Sequence, residues 1–174
     1  MDSVIDGLID EISRKILREL QKDARMSFAE LGRQVGLSPS ATAERVRRLE
    51  DEGIIRGYRV DIDPRALGYG VMVFTRMVCG GDKYNQFLAY IKTVNAIREC
   101  YHVTGSDALI MKILAHSIEE LNGLVMKFLA YGTPNSSVVI ADLLVRTDYD
   151  LNPPRPTKPP GFSRAVKGQG KCGL

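Results

Sequence analysis

The chain has 174 residues, 44% of them apolar and 26% charged, enough for one ordinary domain or two small ones with real cores. Its formal charge is +3, but residues 151–174 hold Arg155, Lys158, Arg164, Lys167 and Lys171 without any acid, which leaves 19 basic against 21 acidic residues elsewhere. A near-neutral body excludes anion binding by bulk charge, so any such surface must come from local clustering. Cys79, Cys100 and Cys172 have neither CxxC nor zinc-like spacing. That pattern fits free thiols of a reducing cytosol rather than a disulfide framework. The opening MDSVIDGLIDE is acidic and lacks the basic and apolar regions of a secretory signal. No apolar run approaches the ~20 residues of a membrane span. A cytoplasmic protein with no membrane partner is therefore expected.

Residues 1–8 read as an N-terminal arm and 9–57 as a three-helix DNA-binding unit. Ile9, Ile12, Ile16 and Leu20 form one helical stripe, with Asp10 placed to cap the helix. KDAR (22–25) breaks the pattern. Ser27 can cap a short second helix with Glu30 at the capping-box offset, and Leu31 and Val35 face inward. Gly36 supplies a left-handed exit, Ser38 caps a third helix, and Pro39 sits at its first position, where a missing N–H costs nothing. Two short helices joined by a tight turn containing Gly form a helix-turn-helix.

Residues 58–69 read as a strand and hinge: Tyr58, Val60 and Ile62 alternate with Arg59 and Asp61 before Pro64 and LGYG. Over 70–148 the pattern becomes β-α-β-β-α-β. GVMVFTRMVC, IRECYHV, ALIMKILA and SSVVIADLLVR are the expected strands, and KYNQFLAYIKTV and the Ser117-capped SIEELNGLVMKFLAY the helices. The fold class is therefore α+β, a winged helix-turn-helix followed by a ferredoxin-like βαββαβ domain. Its helices cover one sheet face and leave the other for a second subunit, so homo-oligomerisation is expected. The Pro-rich, then Gly- and Lys-rich stretch 149–174 has no composition for a core.

On the third helix Val46, Leu49, Ala43 and Thr42 cluster on one side and should pack inward. Ser40, Ala41, Glu44 and Arg48 lie opposite, flanked by Arg45 and Arg47. Small polar side chains let a helix approach base edges, guanidinium groups reach phosphates or guanine, and free N–H groups at the helix start favour a phosphate. A solvated surface helix is the competing reading of the same charges.

The segments ILRELQKDAR, LSPSATAERVRRLEDEGII and GYRVDIDPRALG, in that order and spacing, resemble the N-terminal half of the Lrp/AsnC (feast/famine) transcription regulators. The βαββαβ half is similar to that family's ligand-sensing and oligomerisation (RAM) domain. The resemblance covers about residues 9–148. It implies a prokaryotic DNA-binding regulator built of dimers, often four in a ring, with amino acids or other small molecules bound between dimers. It implies DNA-facing roles for Ser38, Ser40, Arg45 and Arg48, backbone contacts from Ser27 and Arg47, and Ala41, Thr42 and Glu44 within the same DNA-binding stretch. Two departures stand out. Ser13 replaces a frequent Asp, and the sensing loop reads Gly105-Ser106-Asp107-Ala108, with Ala108 where an acid often sits. A carboxylate suits an amino-acid ammonium group, so its loss leaves the ligand open. GTPNSS (132–137), with Ser136 and Ser137, is the expected facing loop.

Siroheme decarboxylases resemble the same architecture and use histidines, but only His102 and His116 are present here, and Cys100-x-His102 alone is weak metal spacing. No nucleophile elbow, P-loop or dinucleotide fingerprint is present. No cofactor, metal or catalytic activity is expected. An interaction module that has lost DNA binding remains the other reading.

Overall fold

The computed structural model describes residues 9–105 and 109–151. They form two compact units. One comprises the residues up to Tyr58 together with 146–151, and the other comprises Arg59–Val145.

The first unit is built of three helices, α1 (Glu11–Lys22), α2 (Phe28–Val35) and α3 (Pro39–Asp51). Each starts where a short polar side chain meets an orphan N–H. Asp10 accepts from the Ser13 N–H at 2.7 Å, Ser27 from Glu30 at 3.2 Å and Ser38 from Ala41 at 3.2 Å. Gly36 ends α2 at φ 76°, a left-handed conformation that costs glycine little and other residues more. Ile16, Leu31, Val35, Val46 and Leu49 are buried together, with Ile54 and Ile55 packed against them. The turn is tight because Gly32 has no side chain: a Cβ there would lie 2.6 Å from the Leu37 carbonyl oxygen and 2.9 Å from Thr42 Oγ1.

The strand expected over Tyr58, Val60 and Ile62 does not form. The segment runs without a ladder partner, and Tyr58, Val60 and Ile62 are exposed, Val60 to 84%. A strand exists only where another lies beside it, and among the described residues none does. The wing is therefore an unpaired extended segment in the single chain. Tyr58 donates to Glu50 Oε1 at 2.8 Å; burial and that acceptor push its hydroxyl up to about 12.

In the second unit a 3₁₀ turn, Pro64–Leu67, leads into β1 (Val71–Cys79), α4 (Gly81–Ile91), β2 (Ile97–His102), β3 (Leu109–Ala115), α5 (Ile118–Phe128) and β4 (Gly132–Val138). This is the expected βαββαβ order, closed into an antiparallel sheet ordered β2-β3-β1-β4. The pleat sends Val73, Thr75 and Met77 of β1 and Leu109, Met111, Ile113 and Ala115 of β3 to the buried side. There they meet Phe87 of α4 and Phe128 of α5, whose rings pack edge to face at 5.3 Å. The other face carries Phe74, Arg76 and Val78, paired in register with Lys112, Ile110, Ser137 and Thr133, and Phe74 and Val78 remain exposed.

The last strand is displaced from its expected position. GTPNSSV, expected in part as a loop, is the strand itself, because Gly132 to Val138 pair with Cys79 to Val73. β1 begins at Val71, so pairing ends with the Val139 N–H on the Met72 carbonyl. The apolar residues beyond it, Ile140, Leu143, Leu144 and Val145, are exposed, the first two to 99% and 94%.

Candidate DNA-binding face and effector site

Helix α3 presents two faces, separated by its period. Thr42, Val46 and Leu49 are buried. Ser38, Ser40, Glu44, Arg47 and Arg48 are exposed, as is Ser27 at the start of α2, and Ala41 is half-buried. Ser38 Oγ, besides capping, lies 3.1 Å from Ser40 Oγ, so the helix entry offers two neighbouring hydroxyls. Arg47 makes only a loose contact with Asp51 at 3.9 Å, both side chains being largely exposed. Arg48 has no acidic partner among the described residues.

Two residues of the expected DNA-facing set make contacts within the unit. Thr42 is fully buried, and its hydroxyl donates to the Ser38 carbonyl at 2.9 Å, so it holds the helix start. Arg45 is drawn back onto Asp10: its Nη1 lies 2.7 and 3.0 Å from the two carboxylate oxygens and 3.4 Å from Ser13 Oγ. The cap of α1 is thereby tied to the middle of α3. Burial opposes the charge on Asp10, but the Ser13 N–H and the Arg45 guanidinium outweigh it and lower the carboxyl to about 2. Sequence reading found Asp10 as a cap and Arg45 as a cation without pairing them, since nothing local links residues 35 apart in the chain.

A second long-range link also went unread. The Gln21 side-chain amide closes two hydrogen bonds on Tyr149, Nε2 donating to the Tyr149 carbonyl at 3.2 Å and Oε1 accepting from its N–H at 2.6 Å. Residues 147–151 thus lie along α1.

In the second unit, Ser106, Asp107 and Ala108 lie outside the described residues. Gly105 enters that stretch at φ 113°. Ser136 and Ser137 are not on a loop facing it. They sit on edge strand β4, two strands from β3, about 10 Å across the sheet. They also point to opposite faces. Ser136 Oγ bonds Thr75 Oγ1 at 2.9 Å on the helix side, and Ser137 lies on the open side opposite Phe74. Both serines are exposed at this sheet edge.

The two histidines do not converge. His102, paired with Leu109 at one end of β3, has Nδ1 3.1 Å from the Tyr84 hydroxyl. His116 follows the other end of β3, over 20 Å away along the strand. It stacks on Tyr69 at 4.4 Å and sets Nδ1 3.0 Å from the Gly68 carbonyl oxygen. Burial raises the thiols of Cys79 and Cys100, away from reactive thiolate. Among the described residues no helix is long and apolar enough to cross a membrane.

Comparison with known proteins matches both halves. Residues 9–50 fit the AsnC-type helix-turn-helix domain and residues 72–147 the Lrp/AsnC ligand binding domain. The chain is 35% identical over 135 residues to the HTH-type transcriptional regulator LrpC of Bacillus subtilis, covering 78% of this chain and 94% of that one. It is 36% identical over 118 residues to the regulatory protein AsnC of Haemophilus influenzae, covering 67% and 79%. Among solved structures, B. subtilis LrpC superposes with a TM-score of 0.74 at 34% identity, covering 79% of this chain and 98% of its own. A Neisseria meningitidis regulator in complex with L-methionine gives 0.77 at 27% identity, covering 82% and 97%. The feast or famine regulatory protein of Mycobacterium tuberculosis, complexed with L-methionine, gives 0.75 at 26%, covering 81% and 98%. With its α3 face, its βαββαβ sheet and relatives that span both units, the chain belongs to the Lrp/AsnC family of transcriptional regulators.

Proposed function

We propose that the protein regulates transcription as a homo-oligomer. In this reading each dimer sets two copies of α3 into successive major grooves, about 34 Å apart. Ser38, Ser40, Ala41, Glu44 and Arg48 approach the bases, Ser27 and Arg47 meet the backbone, and Arg45 orients the helix from behind through Asp10. The observation that carries this reading is the division of α3: one side is buried and the other exposes small hydroxyls beside Arg47 and Arg48. The body has near-neutral charge, so affinity rests on that placement and on repetition by the oligomer.

The apolar residues left bare at 140–145, with Tyr58, Val60 and Ile62, support oligomerisation, since a monomer seldom leaves so much apolar surface uncovered. Dimers further associated into an octameric ring are the expected end state. A small molecule, an amino acid by analogy with the two methionine complexes, binds the Gly105–Ala108 loop and Ser137 where subunits meet. It biases assembly or DNA affinity by binding one state better than the other. The protein works on DNA in the cytoplasm and nucleoid, and it is a regulator rather than an enzyme.

Selection from a random duplex pool tests the DNA reading. The expected product is an inverted repeat with half-site centres one helical turn apart. Recovery of a single asymmetric half-site, or of no sequence at all, contradicts it.

A further inference from the structure

The chain leaves the first unit after Tyr58 and returns to it at Arg146. Both ends of that excursion are pinned within the first unit, on different helices. Tyr58 donates its hydroxyl to Glu50, in the last turn of α3, at 2.8 Å. The main-chain N–H and carbonyl of Tyr149 are both taken by the Gln21 amide, in the last turn of α1, at 2.6 and 3.2 Å. A side chain that pairs with both groups of one residue fixes the direction of the chain as well as its place, as a ladder partner would. Around this clamp the packing is open: residues 147–151 border a groove of about 460 Å³ with Arg18, Gln21 and Lys22, so the contact is polar and local. Tyr149 also lies past residue 147, where the match to the ligand binding domain ends. The clamp is thus an addition of this chain to the matched domains.

We infer that Gln21 and Tyr149 are positioning residues for DNA recognition: their clamp restricts the orientation of the helix-turn-helix unit and so sets the half-site spacing that a dimer accepts. It rests on the dimeric α3 reading above, which it deepens. A body on one tether turns freely about it. A body on two tethers, anchored on different helices, keeps only rotation about the line that joins the anchors. The returning tether is short, since the three residue steps from Arg146 to Tyr149 span about 10 Å at most. Once one α3 is seated, restricted orientation holds the other at high local concentration over one position and at low concentration over its neighbours. Each base pair added between half-sites moves the second one by about 3.4 Å and turns it by about 35° around the duplex. A clamped unit cannot follow that displacement, and a released one absorbs it. The clamp therefore governs spacing, and the exposed face of α3 governs sequence.

The test uses the full-length protein and three variants. Gln21→Leu removes both bonds, Gln21→Glu keeps an acceptor for the Tyr149 N–H but loses the donor, and Tyr149→Pro removes that N–H from the other side. Affinity is read by fluorescence anisotropy at one fixed salt, on a duplex with a single selected half-site and on inverted repeats with half-site centres about 8 to 13 bp apart. The intact protein should prefer one spacing near 10 bp by about tenfold over spacings two base pairs away. Gln21→Leu should lower affinity at that spacing about three- to tenfold and flatten the profile, with Gln21→Glu between the two. Binding to the single half-site and the unfolding midpoint should not change, since two solvent-exposed hydrogen bonds add little to stability. Profiles of Gln21→Leu and Tyr149→Pro as sharp as that of the intact protein overturn the inference and leave the α3 reading standing. So does an equal loss on every duplex, the single half-site included, because the clamp would then serve only the fold of the first unit. If the intact protein binds duplex with no dependence on spacing, the dimeric reading fails and the inference falls with it.

Discussion

One long-range polar contact in the helix-turn-helix unit is between Asp10 and Arg45. It joins the start of α1 to the middle of α3, and with Ser13 Oγ it forms a small polar cluster at the edge of the core. Both side chains are more than a third exposed, so solvent screening limits the pair to about 1 kcal/mol. The folded carboxyl titrates near 2 against an ordinary 3.8. This stabilisation is therefore fully present above about pH 4 and is lost as the pH falls through 2. Asp10→Asn and Arg45→Ala should each destabilise the unit by about 1 kcal/mol at pH 7, non-additively in the double variant. At pH 2 the wild type and Asp10→Asn should converge in denaturant unfolding. Additive losses would mean that Arg45 does not work through Asp10. The cap at Asp10 could be read from sequence because capping is local. The role of Arg45 could not, because its exposed-face position on a helical wheel says nothing of an acid arriving from another helix. Thr42 was placed inward by periodicity, and its side chain is buried.

At the scale of elements, Ser27, Gly36, Ser38 and Pro39 marked helix ends within a residue or two, since each acts on its own neighbours. The four strands of the second unit were legible in order, but the last was misplaced and the strand expected around Tyr58–Ile62 did not form. The segment around Tyr58–Ile62 alternates like a strand yet finds no ladder partner among the described residues. The last strand begins at Gly132, before the apolar run that signals it, because register with β1 decides pairing and composition does not. Gly32 is a consequence of packing that no local pattern announces. Gly32→Ala should cost about 2–3 kcal/mol by forcing α2 from the Leu37 carbonyl and Thr42, lowering the unfolding midpoint of the first unit. Unchanged stability would show that the turn relaxes without cost. On the second unit, Ile140→Asp with Leu143→Asp removes apolar side chains that are almost fully exposed in the single chain. The solution mass should drop to that of a smaller species while the midpoint of the isolated subunit is preserved. An unaltered mass would place the interface elsewhere.

For the whole molecule, the DNA-binding and ligand-binding units each have a core of their own. An effector acts by differential affinity for assembled states, so a binding amino acid should raise the unfolding temperature and shift the solution mass together. Stabilisation at a ligand concentration one hundred times Kd is about 2.7 kcal/mol. A thermal-shift screen of the common amino acids followed by mass measurement reads both effects, and stabilisation without any change of mass would disconnect sensing from assembly. Ser106, Asp107 and Ala108, on which the ligand reading leans, lie outside the described residues.

The central claim is that the exposed face of α3 carries DNA recognition. Arg47→Ala with Arg48→Ala, measured by mobility shift at one fixed salt on the selected inverted repeat, tests it most directly. Neither side chain supports a core: both are exposed, and Arg47 makes a loose ion pair with Asp51. The unfolding temperature should therefore hold while affinity falls by about 2–4 kcal/mol, at about 1–3 kcal/mol for a base contact and less for a phosphate. Undiminished affinity in a folded double variant would contradict the account.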